Sequence, residues 1–402
     1  MEIVRYNKIA LILVLLIGFF IFMHSPFVVS IYVPFIIRIP LFLFIVFFSL
    51  LTVIKKKYFV RVYLPIMVFL VFAFVYWVSV GAILAEIIYS VLYFFLAIVL
   101  LVSVKRNRSL RRLLVNFYFI LIVVLSVLSI ISFLAFNLGL APYVLKPVGE
   151  GLDVYMYWHN YFLGYINPKI FESGVIGRVC GFLIEPSYQG WFLSTNYFLI
   201  SKFMKNKSYV FFIQLIVLLG ALSSVSTMSW IVFSIAFASM LGFKIMSIFG
   251  LKEKTANILY GIMLSVGIAL MFTVVNTDEL LESLGPSSSD DRTERADTSF
   301  LYLVMASPKE LFLGRGPGFI GKNNDRGESN PIIKSLVENG ILTTILVLVF
   351  IIYCTYRSKY YMITTLLWLN SVVILFTPLF IINVLVCRWM DEGIDLNLKK
   401  YE

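Results

Sequence analysis

Residues 113–138 read LLVNFYFILIVVLSVLSIISFLAFNL, a stretch with no charged side chain. An apolar run of about 18 residues or more is long enough to cross the hydrocarbon core of a bilayer as a helix. The run follows Arg111 and Arg112 and ends just before Gly139. It predicts a membrane-spanning helix with its basic end at one surface and a loop at the other.

Similar apolar runs recur along the whole chain. Hydrophobic residues make up 60% of the 402 positions and charged residues only 14%, whereas soluble domains carry about 25% charged residues. This composition excludes the soluble globular class. We predict an all-α polytopic integral membrane protein, a single membrane domain over residues 1–402, with about 11–12 transmembrane helices. The predicted spans are 9–23, 39–54, 62–80, 83–104, 113–138, 187–203, 208–222, 228–243, 256–275, 334–354 and 362–386.

The last of these runs contains Thr377-Pro378, so it is either one kinked helix or two short ones.

The basic residues indicate the orientation of the chain. Its formal net charge is +11, and short cytoplasmic loops of membrane proteins are enriched in lysine and arginine. Clusters such as Lys55-Lys56-Lys57 and Arg111-Arg112 fall on one side if the amino terminus is inside. The surplus of positive charge therefore sets topology, and nucleic acid is not an expected partner.

Two predicted loops are much longer than the others, residues 139–186 and 276–333, and both fall on the outside. Long loops on a rigid scaffold are where binding and catalytic residues concentrate. We therefore expect the function to lie on the extracytoplasmic face.

The first loop ends in GRVCGFLIEPSYQG, residues 177–190, which puts Arg178 and Glu185 where the chain re-enters the membrane. Arg178 needs an anion there. The alternatives are an arginine that reaches lipid headgroups and a glutamate that interacts with the positive amino end of the next helix. Aromatic residues of this loop, including Trp158, suit a groove for sugar rings or an interfacial belt. His159, a lone histidine among them, is a candidate general base because imidazole titrates near neutral pH.

The second loop carries GPSSSDDRTER at residues 285–295 and GRGPGF at residues 314–319. Acidic residues outnumber basic ones in this loop, so Arg292, Arg295 and Arg315 do not belong to a general cationic coat. They are candidates for individually placed ligand contacts. The alternative is ion pairing within the loop, worth at most about 1 kcal/mol for an exposed pair.

Other chemistries lack their residues. Gly316 and Gly321-Lys322 have the spacing of a phosphate-binding P-loop, but Asn323 follows instead of serine or threonine, and Pro317 removes an amide donor. Two histidines and three scattered cysteines are too few for a histidine-rich metal site or a disulfide framework. We expect no metal and no cofactor. Glu86, a charge within a predicted span, is a hypothetical proton-relay residue.

Two patches resemble the O-antigen ligase/polymerase superfamily, in particular the O-antigen polymerases (Wzy-type) of bacterial membranes. The first is Arg178-x-x-Gly181-Phe182-x-x-Glu185-Pro186-Ser187, which is similar to the family's arginine followed by a helix that begins with proline. The second runs from Arg292 or Arg295 through Gly314-x-Gly316-x-Gly318-Phe319 to Ser329-Asn330 and Glu338-Asn339-Gly340-Ile341. It is similar to the family's arginine, glycine-rich turn and E-x-G-I helix start.

The chain departs from the ligases of this superfamily at one position. The ligases carry a histidine just before an asparagine upstream of the E-x-G-I glycine, whereas here Ser329 precedes Asn330. The missing imidazole favours a polymerase over a ligase, and it leaves the general base unassigned.

The resemblance implies a glycosyltransferase that polymerises oligosaccharide repeats carried on undecaprenyl diphosphate. The reaction would occur at the outer leaflet of the bacterial cytoplasmic membrane, without metal or nucleotide, and build O-antigen, capsule or exopolysaccharide. The implied partners are the lipid-linked donor and acceptor, the bilayer, and, as candidates, a chain-length regulator and a flippase. Two alternatives stay open, a ligase that transfers finished glycan to another acceptor such as lipid A core, and a flippase or transporter for the lipid-linked glycan.

The same resemblance implies roles for individual residues. The diphosphate clamps are Arg178 together with one of Arg292, Arg295 and Arg315. Glu185 is the first candidate for the base and His159 the second, which with Arg178 make the expected catalytic set. The expected glycan contacts are Trp158, Tyr188, Gln189 and Asn330.

Overall fold

The computed structural model describes much of the chain. The described residues are 10–19, 40–41, 43–48, 68, 71–140, 143–144, 159–161, 164–171, 174–181, 183, 185–204, 206–248, 299–323, 330–369 and 377–393. Most of them are helical, as predicted. The helices with both ends described are α1 Leu84–Arg106, α2 Arg108–Asn137, α3 Pro186–Tyr197, α4 Ile200–Phe203, α5 Lys207–Leu222, α6 Thr227–Ile248, α7 Pro308–Leu313, α8 Phe319–Asn323, α9 Pro331–Thr355, α10 Lys359–Trp368 and α11 Pro378–Gly393.

Two helices within the described ranges are long and apolar enough to cross a membrane, Ser109–Asn137 and Pro331–Thr355. This is compatible with a membrane protein. The first covers residues 113–137 of the run at 113–138, and the second begins three residues before the predicted span at 334–354. The predicted span at 256–275 lies outside the described residues.

The last apolar run forms two helices, α10 and α11, and Pro378 begins the second. Of the two predicted alternatives, two short helices are therefore observed. Proline fits the first turn of a helix because its missing N–H would have no partner there.

Side-chain caps explain where several helices begin. The Asn107 side chain accepts a hydrogen bond of 3.0 Å from the N–H of Leu110 at the start of α2, and Asn206 does the same for Ser208 in α5. Asparagine at this position satisfies amides that the first helical turn leaves without partners.

The prediction of an all-α protein is wrong for the segment at 139–186. Four antiparallel strands lie there, β1 Tyr143–Val144, β2 His159–Tyr161, β3 Gly164–Phe171 and β4 Gly174–Gly181, paired in the order β1-β2-β3-β4. Ile166 of β3 and Val179 of β4 are fully buried against Ala135 and its neighbours at the end of α2. The sheet forms because these apolar side chains have a helix end to pack on.

The bundle core contains a buried polar network. Tyr118 of α2 donates a hydrogen bond to Asn383 of α11, and Asn196 of α3 donates one of 3.2 Å to Tyr118. Asn383 also donates to Thr195, at 3.4 Å. Buried polar groups need such partners. These hydrogen bonds fix the positions of α2, α3 and α11 relative to one another.

Helix α11 runs in the same direction as α3. The Phe380 ring lies 5.9 Å from that of Trp191, between centroids, and Asp391 forms an ion pair with Lys202 just beyond α3. Ser358 donates a hydrogen bond of 3.1 Å to the same carboxylate. The carboxyl-terminal end of α11 therefore lies beside Lys202.

Candidate functional site

The glycine-rich turn Gly314–Gly318 is fixed against a break in helix α9. Gly340 has a φ of +76°, which interrupts the helical backbone. At the break the N–H of Arg315 donates to the carbonyl of Val337 at 2.9 Å, and the N–H of Gly316 donates to that of Glu338 at 2.8 Å. The break exposes carbonyls that a continuous helix would use internally.

Glycine is required on both sides of this contact. Gly314 has a φ of +80°, and a Cβ there would overlap the carbonyl group of Glu338. A Cβ at Gly340 would overlap the carbonyl oxygen of Phe312. Two backbones approach closely only when neither carries a side chain, and both backbone conformations favour glycine.

Glu338 anchors the far side of the turn. It is buried, with 4% of its surface exposed, and its Oε1 accepts a hydrogen bond of 3.1 Å from the N–H of Ile320 in α8. Ile320 lies in the segment with P-loop spacing. In a P-loop such an amide would donate to a phosphate, whereas here it donates to the carboxylate of Glu338.

Glu86, at the start of α1, lies beside Gly318, where a Cβ would be 3.1 Å from its Cγ. Its side chain is exposed. The structure thus brings Glu86 and Glu338 to the same turn.

Two aromatic side chains hold the turn from a third side. The Tyr76 hydroxyl donates to the carbonyl of Gly314 at 3.1 Å, and the Trp77 indole N–H donates to that of Leu313 at 3.0 Å. Trp77 is almost fully buried. Sequence reasoning missed both residues because they lie in an apolar run at 62–80 that carries no signal of a distant partner.

Arg315 is held by aromatic and acidic neighbours. Its guanidinium carbon lies 5.1 Å from the ring centroid of Phe319 and 5.7 Å from that of Tyr302, distances typical of cation–π contacts. Its Nε lies 3.6 Å from the Oε1 of Glu310. An arginine in such a setting is pre-positioned for a carboxylate or phosphate group.

Glu310 belongs to a capping box at the start of α7. The N–H of Ser307 donates to the Glu310 carboxylate at 2.8 Å, and the Ser307 hydroxyl accepts from the N–H of Glu310. These hydrogen bonds with Ser307, and less strongly the charge of Arg315, lower the pKa of Glu310. Glu310 therefore stays ionised beside Arg315 at neutral pH.

Asn330 begins α9. Its Oδ1 accepts hydrogen bonds from the N–H groups of Ile332 and Ile333, at 3.0 and 3.2 Å. The side-chain oxygen thus caps the helix, and the glycan contact predicted for Asn330 stays a prediction.

A second group of predicted residues lies where β4 leads into α3. Arg178 is half-buried on β4, opposite Asn167 of β3. Glu185 precedes α3, is exposed, and accepts a hydrogen bond of 3.0 Å from the Ser187 hydroxyl. Arg178 thus lies in β4, three residues before its end, and Glu185 lies at the far end of the connection to α3.

Two predicted glycan contacts follow in α3. Gln189 is fully buried, and its amide donates to the Ser129 hydroxyl of α2 at 2.6 Å. Its side chain is therefore part of the helix packing, and its contact with glycan stays a prediction. Tyr188 is half-buried against the main core, and its contact with glycan stays a prediction.

Trp158, Arg292, Arg295 and Ser329 lie outside the described residues. The backbone of His159 pairs with Ile166 in the sheet. The contacts given above fall into two groups, one around Arg178 and Glu185 and the other around Arg315 and Glu338.

Within the described ranges no group of three or more His, Cys, Asp or Glu side chains could hold a metal ion. The charged groups of the two sites are guanidinium and carboxylate groups, which are suited to binding an anion and orienting a hydroxyl. Comparison of the chain with family models, with curated proteins and with solved structures finds no match in any of the three.

Proposed function

We propose that the chain is a polytopic membrane protein of the bacterial cytoplasmic membrane, with its amino terminus and the end of α11 on the cytoplasmic side. Lys202 and Arg357, both from predicted cytoplasmic loops, contact Asp391 at one end of the bundle. The sheet packs on the carboxyl-terminal end of α2, which is the predicted outer end of that helix. This distribution supports the alternation of spans expected from the loop charges.

The proposed activity is polymerisation of oligosaccharide repeats carried on undecaprenyl diphosphate, on the extracytoplasmic face. The observation that carries it is the fixed position of Arg315. Backbone hydrogen bonds to Val337 and Glu338 immobilise the turn, and the guanidinium is held among rings and one carboxylate. A pre-positioned cation stabilises charge that develops during a reaction without having to reorganise.

In this reaction a terminal hydroxyl of one lipid-linked repeat attacks the anomeric carbon of another glycan. The bond from that carbon to the diphosphate oxygen breaks, undecaprenyl diphosphate leaves, and the hydroxyl proton passes to a base. The diphosphate is already an activated leaving group, so the protein has to neutralise its charge and align two glycans. Arg315 and Arg178 are the proposed clamps within the described residues, with Arg292 or Arg295 as further candidates.

Glu185 is the first candidate for the base. Its side chain is exposed and accepts a hydrogen bond from the Ser187 hydroxyl, so it can reach an acceptor. His159, in β2 of the same sheet, is the second candidate. The same geometry would also suit a ligase, and Ser329 in place of the ligase histidine favours the polymerase.

The deciding experiment is incubation of the purified chain, in detergent or nanodiscs, with a lipid-linked repeat unit and analysis of products by size. A polymerase gives a ladder of increasing length and releases undecaprenyl diphosphate. A ligase gives product only when another acceptor is added, and a transporter gives none. Arg315→Ala should abolish the ladder, whereas Lys322→Ala, at an exposed cation of neighbouring α8, should leave it intact.

A further inference from the structure

The segment at 299–305, between the second predicted outer loop and α7, has two unlike faces. One is apolar and exposed to an unusual degree, with exposed fractions of 59% for Phe300, 52% for Leu301, 67% for Val304 and 69% for Met305. These residues occupy positions i, i+1, i+4 and i+5 and therefore share one side of the helix. A patch of large apolar side chains on one face indicates a binding surface.

The opposite face holds the candidate site. Ser299 is fully buried, and the Tyr302 hydroxyl donates to the carbonyl of Asn323 at 3.2 Å. The Tyr302 ring meets that of Phe319 edge to face, with centroids 5.2 Å apart, and faces the Arg315 guanidinium. The helix thus links an exposed apolar surface directly to Arg315.

The glycine-rich turn Gly314–Gly318 also contacts residues beside a second exposed apolar surface. A Cβ at Gly318 would lie 2.9 Å from Ile83, and one at Gly316 would overlap Ala82. The surface beside these residues belongs to the end of the helical stretch at 71–79 and the start of α1, and its exposed apolar members are Val71, Phe72, Val75, Val78, Val80, Ile83 and Leu84. In the proposed topology this surface faces lipid, and the turn that contacts it also contacts the segment at 299–305, through Arg315 and Tyr302.

A basic residue lies close to the segment. Lys309 follows Met305 by four positions, and its ammonium lies 5.1 Å from the ring centroid of Tyr76. Helices with an apolar face and neighbouring lysines bind in the plane of a membrane, with the lysines at the level of the phosphates.

We propose that the segment at 299–305 docks on the outer leaflet of the membrane, with its Phe300–Met305 face between the headgroups and the acyl chains. Its other face then holds Arg315 at the depth of the lipid phosphates. The docking rests on the proposed membrane topology, and the assignment of Arg315 to a lipid-linked diphosphate rests in addition on the proposed activity. The occupant of the apolar face is lipid, and a second copy of the chain is the outcome that would oppose it.

The test measures the depth of spin labels in the full chain, reconstituted in nanodiscs of phosphatidylethanolamine and phosphatidylglycerol. Single labels are attached at Val304→Cys and, as a matched control, Lys322→Cys, in a background where the buried Cys180, Cys354 and Cys387 are alanine. We expect the label at 304 to collide with oxygen and to lose collisions with a water-soluble nickel chelate, relative to the label at 322. Equal access of the chelate to both labels would overturn the docking.

Loss of access to both reagents at 304, together with spin–spin broadening, would assign the face to a second copy and also overturn it. The polymerisation assay is run in the same nanodiscs to separate the two proposals. A lipid-embedded label without any polymer would leave the docking standing and remove the proposed function. Polymer formation with a water-exposed label at position 304 would support the proposed function and overturn the docking.

Discussion

The carboxylate of Glu338 accepts a hydrogen bond from the backbone N–H of Ile320 at 3.1 Å, across 18 positions of the chain. This single contact joins the long helix α9 to the short helix α8. Because Glu338 also offers its carbonyl to Gly316, one residue fixes both sides of the turn that carries Arg315.

Replacing Glu338 should therefore loosen the turn. Glu338→Ala leaves the buried N–H of Ile320 without its partner, which costs about 1–3 kcal/mol, and polymer formation should fall with it. Glu338→Gln keeps an acceptor oxygen in a side chain of the same size, so it should retain most of the stability and most of the polymer formation. Unfolding temperature in detergent and product length report the two effects. Equal loss in the alanine and glutamine variants would mean that the charge, and not the hydrogen bond, is what matters.

Gly340→Ala should destabilise the protein. The positive φ alone costs about 1–2 kcal/mol for a residue with a Cβ, and the overlap with the carbonyl of Phe312 adds to it. Gly321→Ala is the matched control, because nothing lies within 4 Å of a Cβ at that position of α8. Thermal unfolding of the purified variants should separate them clearly. A Gly340→Ala protein as stable as the control would show that the break in α9 is not required.

Replacing one partner of the ion pair between Lys202 and Asp391 should destabilise the protein more than replacing both partners with apolar residues. The Asp391 side chain is 6% exposed and that of Lys202 25% exposed. Asp391→Asn leaves a mostly buried ammonium without its charge partner and should cost about 3 kcal/mol. The double variant Lys202→Met with Asp391→Leu should recover most of that loss. A double variant less stable than Asp391→Asn would contradict this interpretation.

The start of α7 should lose its order in acid. The pKa of Glu310 is lowered in the folded chain by its hydrogen bonds with Ser307, so the stabilisation it gives is present above the unfolded pKa and is lost as the pH falls through the folded pKa. Hydrogen exchange at residues 307–313 should therefore speed up below about pH 4.3, after correction for intrinsic rates. Glu310→Gln should remove this acid-dependent step, and persistence of the step in that variant would assign it to another group.

Some of this architecture could be predicted from the sequence for simple physical reasons. The run at 113–138 is long and uncharged, and such a run has few alternatives to a helix. The apolar run at 334–354 likewise predicts a helix, and Arg178 and Glu185 stand on either side of a predicted re-entry point. Each of these signals is local.

The rest depends on contacts between distant parts of the chain. The GRGPGF turn and Glu338-Asn339-Gly340 could each be noticed, but nothing in either indicates that two glycine backbones touch. Gln189 was expected to contact glycan, and only the position of Ser129 on α2 shows that its side chain is buried between helices. The sheet at 139–186 was missed because its apolar side chains needed the end of α2 as a partner.

The polar network of the core has a consequence for biogenesis. Tyr118, Thr195 and Lys202 are synthesised well before α11, which carries Asn383 and Asp391. Until that helix is inserted, the earlier helices hold hydrogen-bonding groups in an apolar surrounding without these partners. Insertion of α11 is therefore the step that completes the core, and a ribosome stalled before residue 378 would leave a nascent bundle that quality-control proteases can recognise.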